Sequence, residues 1–141
     1  MNELYFDIKK LKESFSFLIE DYAFKVLEEG DSNSGPSLDL IKKDLIINLY
    51  FDFRDYFFYF KLINGRNTQY PNDKDFTNIK TFHDLIKRFE PDFNLSLLNP
   101  DDEKGFKDAL DLNVKFLKKY VDKIPTDGNW NELWDISSDS N

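Results

Sequence analysis

A chain of 141 residues with 40% hydrophobic residues, 15 of them Phe, is the length of one domain and has ample material for one core, which excludes the disordered class. The absence of cysteine excludes disulfides, thiolate metal ligation and cysteine nucleophiles. A net charge of −8 opposes nucleic acid and anionic lipid and favours basic partners, although acidity also serves solubility alone. The densest apolar run, Tyr56 to Phe60, is five residues long, against about 20 for a membrane span. Residues 1–20 mix Glu, Asp and Lys with apolar positions, unlike a signal peptide. The expectation is a cytoplasmic protein with no membrane and no nucleic-acid partner.

Leu4, Ile8, Leu11, Phe15 and Leu18 step by four, three, four and three, which predicts an amphipathic helix over 3–20. A short strand is expected over Phe24–Glu28, followed by a loop from Gly30 to Ser37.

Residues 38–63 contain no Gly or Pro and alternate. A two-residue turn at Arg54-Asp55 would set Phe53 opposite Tyr56, Phe51 opposite Phe58, Leu49 opposite Phe60 and Ile47 opposite Leu62. All eight side chains then share one sheet face, because pairing preserves the period of two. A second turn at Lys43-Asp44 would add Leu40 and Leu38 to that face. The opposite face would carry Ile46, Asn48, Tyr50 and Asp52 on one strand and Phe57, Tyr59, Lys61 and Ile63 on the other. Neither turn has the Asn-Gly or Asp-Gly signature of a tight hairpin, so a slip or bulge stays open at this stage.

Asn64-Gly65-Arg66 opens a polar loop to about Thr77. Thr81 is expected to cap a helix carrying Phe82, Leu85, Ile86 and Phe89, with Asp84 completing a capping box and Pro91 ending it. Asn99-Pro100 reads as the start of a longer helix. Its stripe is Phe106, Leu110, Val114 (or Leu112), Leu117 and Val121, and Pro125 stops it. Asp101, Asp102 and Glu103 at its start and Lys118, Lys119 and Lys123 at its end suit the helix dipole. Residues 126–141 hold Trp130, Trp134 and four acids (Asp127, Glu132, Asp135, Asp139) with no Lys or Arg, half of the net charge.

The predicted fold is α+β in the order α-β-β-β-β-α-α. It is an antiparallel meander of three to four strands with helices packed on one face. One domain spans 1–125, and 126–141 is an acidic, Trp-containing tail.

Few constellations suit chemistry. Asp52-Phe53-Arg54-Asp55-Tyr56 places two acids and a guanidinium at a hairpin tip, which is either a polar contact spot or a turn held by a local Arg–Asp pair. His83, the sole histidine, has only its helix neighbour Asp84 beside it and reads as exposed. Asp73-Lys74-Asp75 and Pro91-Asp92 superficially resemble metal-nuclease acids but fall in loops, and the five glycines are isolated, so no phosphate loop exists. No catalytic, cofactor-binding or metal-binding residue is expected. The mixed aromatic and charged face has the composition of a protein-contact surface, unless the tail folds back to bury it with Trp130 and Trp134.

The run Asp44-Leu45-Ile46-Ile47-Asn48-Leu49-Tyr50-Phe51-Asp52-Phe53-Arg54-Asp55, with Phe15 to Phe24 before it and the lysine-rich helix after it, resembles small, mostly uncharacterised bacterial proteins. These are similar to the immunity proteins that accompany polymorphic toxins. The resemblance covers most of the chain in element order but only the strand-turn segment in residues, and implies a stoichiometric inhibitor with no catalytic residues to carry over. The functional expectation is therefore a non-enzymatic protein-interaction domain. Its partner would be a protein such as a basic toxin, met through Tyr50, Asp52, Arg54, Asp55, Phe57 and Tyr59. The alternative is a small-ligand binding module using a cleft between sheet and helices.

Overall fold

The alternation from Leu38 to Ile63 becomes one antiparallel sheet in the computed structural model, which describes residues 6–65, 78–100, 102–126 and 130–134. Its strands are β1 (Lys25–Asp31), β2 (Pro36–Lys42), β3 (Leu45–Asp52), β4 (Phe57–Asn64) and β5 (Ile79–Thr81), lying side by side in chain order. The helices are α1 (Ile8–Ser14), α2 (Ser16–Glu20), α3 (Phe82–Phe89), α4 (Glu103–Tyr120) and α5 (Trp130–Trp134). The architecture is the expected α+β meander with one strand more. The added β5 pairs Ile79, Lys80 and Thr81 with Ile63, Leu62 and Lys61. Three residues joined by backbone pairing carry no alternation to read.

The hairpin registers are those the alternation predicts. Lys43-Asp44 turns β2 into β3, with Leu40 opposite Ile47 and Leu38 opposite Leu49. Phe51 faces Phe58, Leu49 faces Phe60 and Ile47 faces Leu62. The β3–β4 connection is wider than expected. Its last paired residues are Asp52 and Phe57, so the loop is Phe53–Tyr56 and not Arg54-Asp55 alone.

One sheet face is thereby lined with Leu38, Leu40, Ile47, Leu49, Phe51, Phe58, Phe60 and Leu62, all buried in a single core with residues of the helices. Ring contacts join the layers. Phe15 meets Phe60 edge-on at 5.4 Å, Phe106 meets Phe51 at 5.0 Å and Phe82 meets Phe60 at 5.1 Å. Each such pair contributes about 0.5–1.5 kcal/mol beyond area burial.

Four local expectations are corrected. The helix expected over 3–20 starts, in the described residues, at Ile8 behind the Asp7 cap and breaks at Phe15. The hydroxyls of Ser14 and Ser16 donate to the carbonyls of Lys10 and Glu13, competing with helical bonding around that point. Leu4 lies outside the described residues. The loop expected over Gly30–Ser37 shrinks to four residues, because reciprocal backbone bonds join Ser32 and Gly35. Gly35 has φ of 149°, and a Cβ there would lie 1.8 Å from the Phe51 carbonyl oxygen, so only glycine fits. The long helix begins not at Asn99-Pro100 but at Glu103, capped by Asp102, whose side chain accepts from the Gly105 amide. Its stripe is buried at Phe106, Leu110, Leu117 and Val121, whereas Val114 and Leu112 are half-buried. Asn113 takes the buried place between, its amide donating to the carbonyls of Leu98 (2.8 Å) and Ala109 (2.9 Å).

Thr81 caps α3 with the full capping box to Asp84. Trp130 is 3% exposed and belongs to the core, with Leu133 and Trp134 packed against it. The described part of the tail is thus part of the domain and does not plug the outer sheet face. Residues 66–77, 127–129 and 135–141 lie outside the described residues, and with them Asp73-Lys74-Asp75.

Candidate functional site

Because β3 and β4 pair in the expected register, the face turned away from the helices carries four cross-strand couples: Ile46–Ile63, Asn48–Lys61, Tyr50–Tyr59 and Asp52–Phe57. The first couple continues across the sheet as a row, Ile41, Ile46, Ile63 and Ile79. Ile46 and Ile63 are buried yet stand outside the core cluster. Next to them Asn48 donates a short hydrogen bond to Asp39.

Toward the hairpin tip the face becomes aromatic. Tyr50 and Tyr59 stack with centroids 6.0 Å apart and planes 24° apart, and Phe57 lies 4.6 Å from Tyr59. All three rings are half-buried. On strands that bury their other face completely, these rings are held by their neighbours, not by the core.

The six expected contact residues separate into two roles. Asp52 is 4% exposed. Its carboxylate accepts from the Arg54 amide (2.7 Å), the Asp55 amide (3.4 Å), the Arg54 guanidinium (3.5 Å) and the Tyr50 hydroxyl (3.4 Å). Burial pushes this carboxyl up, but the hydrogen bonds from Arg54 and Asp55 outweigh it, and it titrates below the ordinary carboxylate value. Asp52 therefore builds the tip and has little surface to offer. Arg54 and Asp55 are exposed, the Arg54 side chain by 77%. The Tyr59 hydroxyl donates to Asp55 at 2.8 Å, and that bond is the main reason its pKa is raised. The presentable groups are thus Tyr50, Phe57, Tyr59, Arg54 and Asp55, and Asp52 fixes their geometry.

His83 and Asn99, which sequence reasoning placed as an exposed helix residue and a helix cap, meet at the rim of this face. The Asn99 Oδ1 accepts from the Phe58 amide at 2.7 Å, and its Nδ2 stands 3.1 Å from His83 Nε2. With Oδ1 committed to an N–H, the Asn99 amide group must donate to Nε2, so His83 is neutral with its proton on Nδ1. His83 is half-buried, and desolvation lowers its pKa although Asp84 acts to raise it. Only spatial proximity reveals this pair, since its members lie 16 residues apart.

Among the described residues no group of three or more His, Cys, Asp or Glu side chains is placed to hold a metal ion. No described helix is long and apolar enough to cross a membrane. An open groove of about 270 Å³ runs beside β1, lined by Glu28, Glu29, Asp31 and Asp39. It lies at the sheet edge and not in a cleft between sheet and helices, where the aromatic core packs. No family model, no curated protein and no solved structure matches the chain.

Proposed function

We propose that the chain is a protein-interaction domain without chemistry of its own, which binds its partner through the tip half of the outer β3–β4 face. The supporting observation is the stacked Tyr50–Tyr59 pair with Phe57 beside it, half-exposed on the face opposite the core. Rigid aromatic rings ringed by Arg54 and Asp55 suit a contact patch, because aromatics and Arg dominate interface energetics. The acidity of −8 favours a basic partner and fast encounter with it. The sharpest form of the reading is an immunity-type inhibitor that occupies a basic toxin one to one, in the cytoplasm of the cell that makes it.

The test compares two baits, the wild-type chain and a Tyr50→Ala/Tyr59→Ala variant shown to be folded by circular dichroism. Proteins are recovered from a lysate of the source organism. The expected result is a basic protein retained in 1:1 ratio by the wild type and lost by the variant. Equal retention on both baits removes this surface from the reading, and recovery of no stoichiometric partner removes the function.

A further inference from the structure

Beside the aromatic patch, where the short β5 stops and α3 begins, a pocket of about 90 Å³ opens in the sheet. Phe57 and Tyr59 form walls, and Lys61, Thr81 and His83 supply its polar side chains. Those three share one chemical property. The Lys61 ammonium can only donate, and no carboxylate pairs with it among the described residues. The Thr81 hydroxyl already accepts from the Asp84 amide at 3.1 Å, which leaves its O–H hydrogen to give. The Nε2 of His83 is occupied by Asn99, which leaves the Nδ1–H. Tyr59 gives its own hydroxyl hydrogen to Asp55, which leaves only its oxygen lone pairs at that position, and Asp84 does not line the pocket.

From a pocket whose polar side chains have donors left over, we infer that it binds a carboxylate, specifically an Asp or Glu side chain of the partner protein. This deepens the proposed function and rests on it. A carboxylate offers two oxygens and no hydrogen, and so satisfies donors without leaving one of its own unmatched. One cation matches one negative charge, and the volume admits a side-chain head group. A phosphate dianion would bring twice the charge to a single ammonium. The occupant also explains how an acidic domain selects among basic partners. The summed charge steers encounter, and one acidic side chain on the partner fixes the register.

Sodium acetate is the probe, titrated into the full chain at constant ionic strength and followed by backbone amide chemical shifts, with acetamide as the neutral isostere. Acetate is expected to displace the amides of Phe57 to Lys61, Thr81 and His83 saturably in the millimolar range. The response should be about tenfold weaker for acetamide and for acetate with Lys61→Met, the factor that loss of one charged hydrogen bond gives. Lys61→Arg should restore it. Equal response to acetate and acetamide, or an undiminished response in Lys61→Met, overturns the inference. The titration needs no partner protein. A partner retained through Tyr50 and Tyr59 without any acetate response therefore removes the pocket and leaves the proposed function standing.

Discussion

The two faces of the β3–β4 hairpin both carry aromatic rings and use them in opposite ways. Inward, Phe51 touches the rings of Phe6, Phe53, Tyr56, Phe58 and Phe106, and is fully buried. Outward, one residue along each strand, Tyr50 and Tyr59 have each other and Phe57, and remain half-exposed. An aromatic ring surrounded by five others is worth mainly stability. A ring with one or two neighbours keeps area in reserve for a partner. For the rings the difference lies in how many elements cover each face, since the helices pack on only one.

The contrast is broken most severely from the inside. Phe51→Ala is expected to cost about 3–5 kcal/mol, because it deletes a fully buried ring from a close-packed core. Tyr50→Ala, one residue away on the other face, should cost about 1 kcal/mol. Urea unfolding of the two variants measures the gap. Equal losses would mean that the outer face is as much core as the inner one.

That contrast was largely legible in the sequence. Between Leu38 and Ile63 a period of two survives across two turns without Gly or Pro, which rules out a one-residue slip because it would scatter the large apolar side chains over both faces, but leaves a slip by two open. The Lys43-Asp44 turn followed from the same pairing. Residues whose roles depend on distant neighbours were not legible. Asp52 was legible in part: a turn held by a local Arg–Asp pair is one of the two readings of the tip, and Arg54 does pair with Asp52. Nothing in the sequence, however, shows that the amides of Arg54 and Asp55 fold back onto its carboxylate and bury it. Asn99 before Pro100 has the form of a helix cap, yet its side chain is spent on the β4 edge and on His83. The pattern around β5 is too short to show alternation, and its only signal is the Thr81 cap that follows it.

A second, intermediate effect sits where the two faces meet. Asn99 satisfies the Phe58 amide, and Asn99→Ala would orphan that N–H at a cost of about 1–3 kcal/mol. The pH dependence sharpens the point. The folded-state pKa of His83 is lowered from its ordinary value of 6.5, so the stability tied to its neutral form is intact above 6.5. It is lost as pH falls from there through the lowered value. Protonation also places an N–H against the Asn99 amide hydrogens. Asn99→Asp keeps an acceptor for Phe58 but presents a carboxylate to His83. It should raise the His83 pKa above 6.5 and reverse the trend, so that the variant gains stability as pH falls through that raised value. Histidine ring shifts against pH, followed by NMR alongside thermal unfolding, report both. An unchanged His83 titration in Asn99→Asp would show that the ring does not depend on that side chain.

The smallest effect on stability is the most discriminating for function. Tyr59→Phe removes only the hydroxyl that donates to Asp55 at 2.8 Å, on an exposed rim. The ring stays stacked on Tyr50, so unfolding should shift by no more than about 0.5 kcal/mol. Asp55, however, loses the donor that holds its carboxylate beside the aromatic patch. If the patch works as a preorganised contact, the variant should bind the partner several-fold more weakly, through faster dissociation at a nearly unchanged association rate. Surface plasmon resonance against the recovered partner separates the two rates. A drop in association rate alone would assign Asp55 to long-range steering. An unchanged dissociation rate would mean that the outer face binds through its rings and takes nothing from the fixed position of its charges.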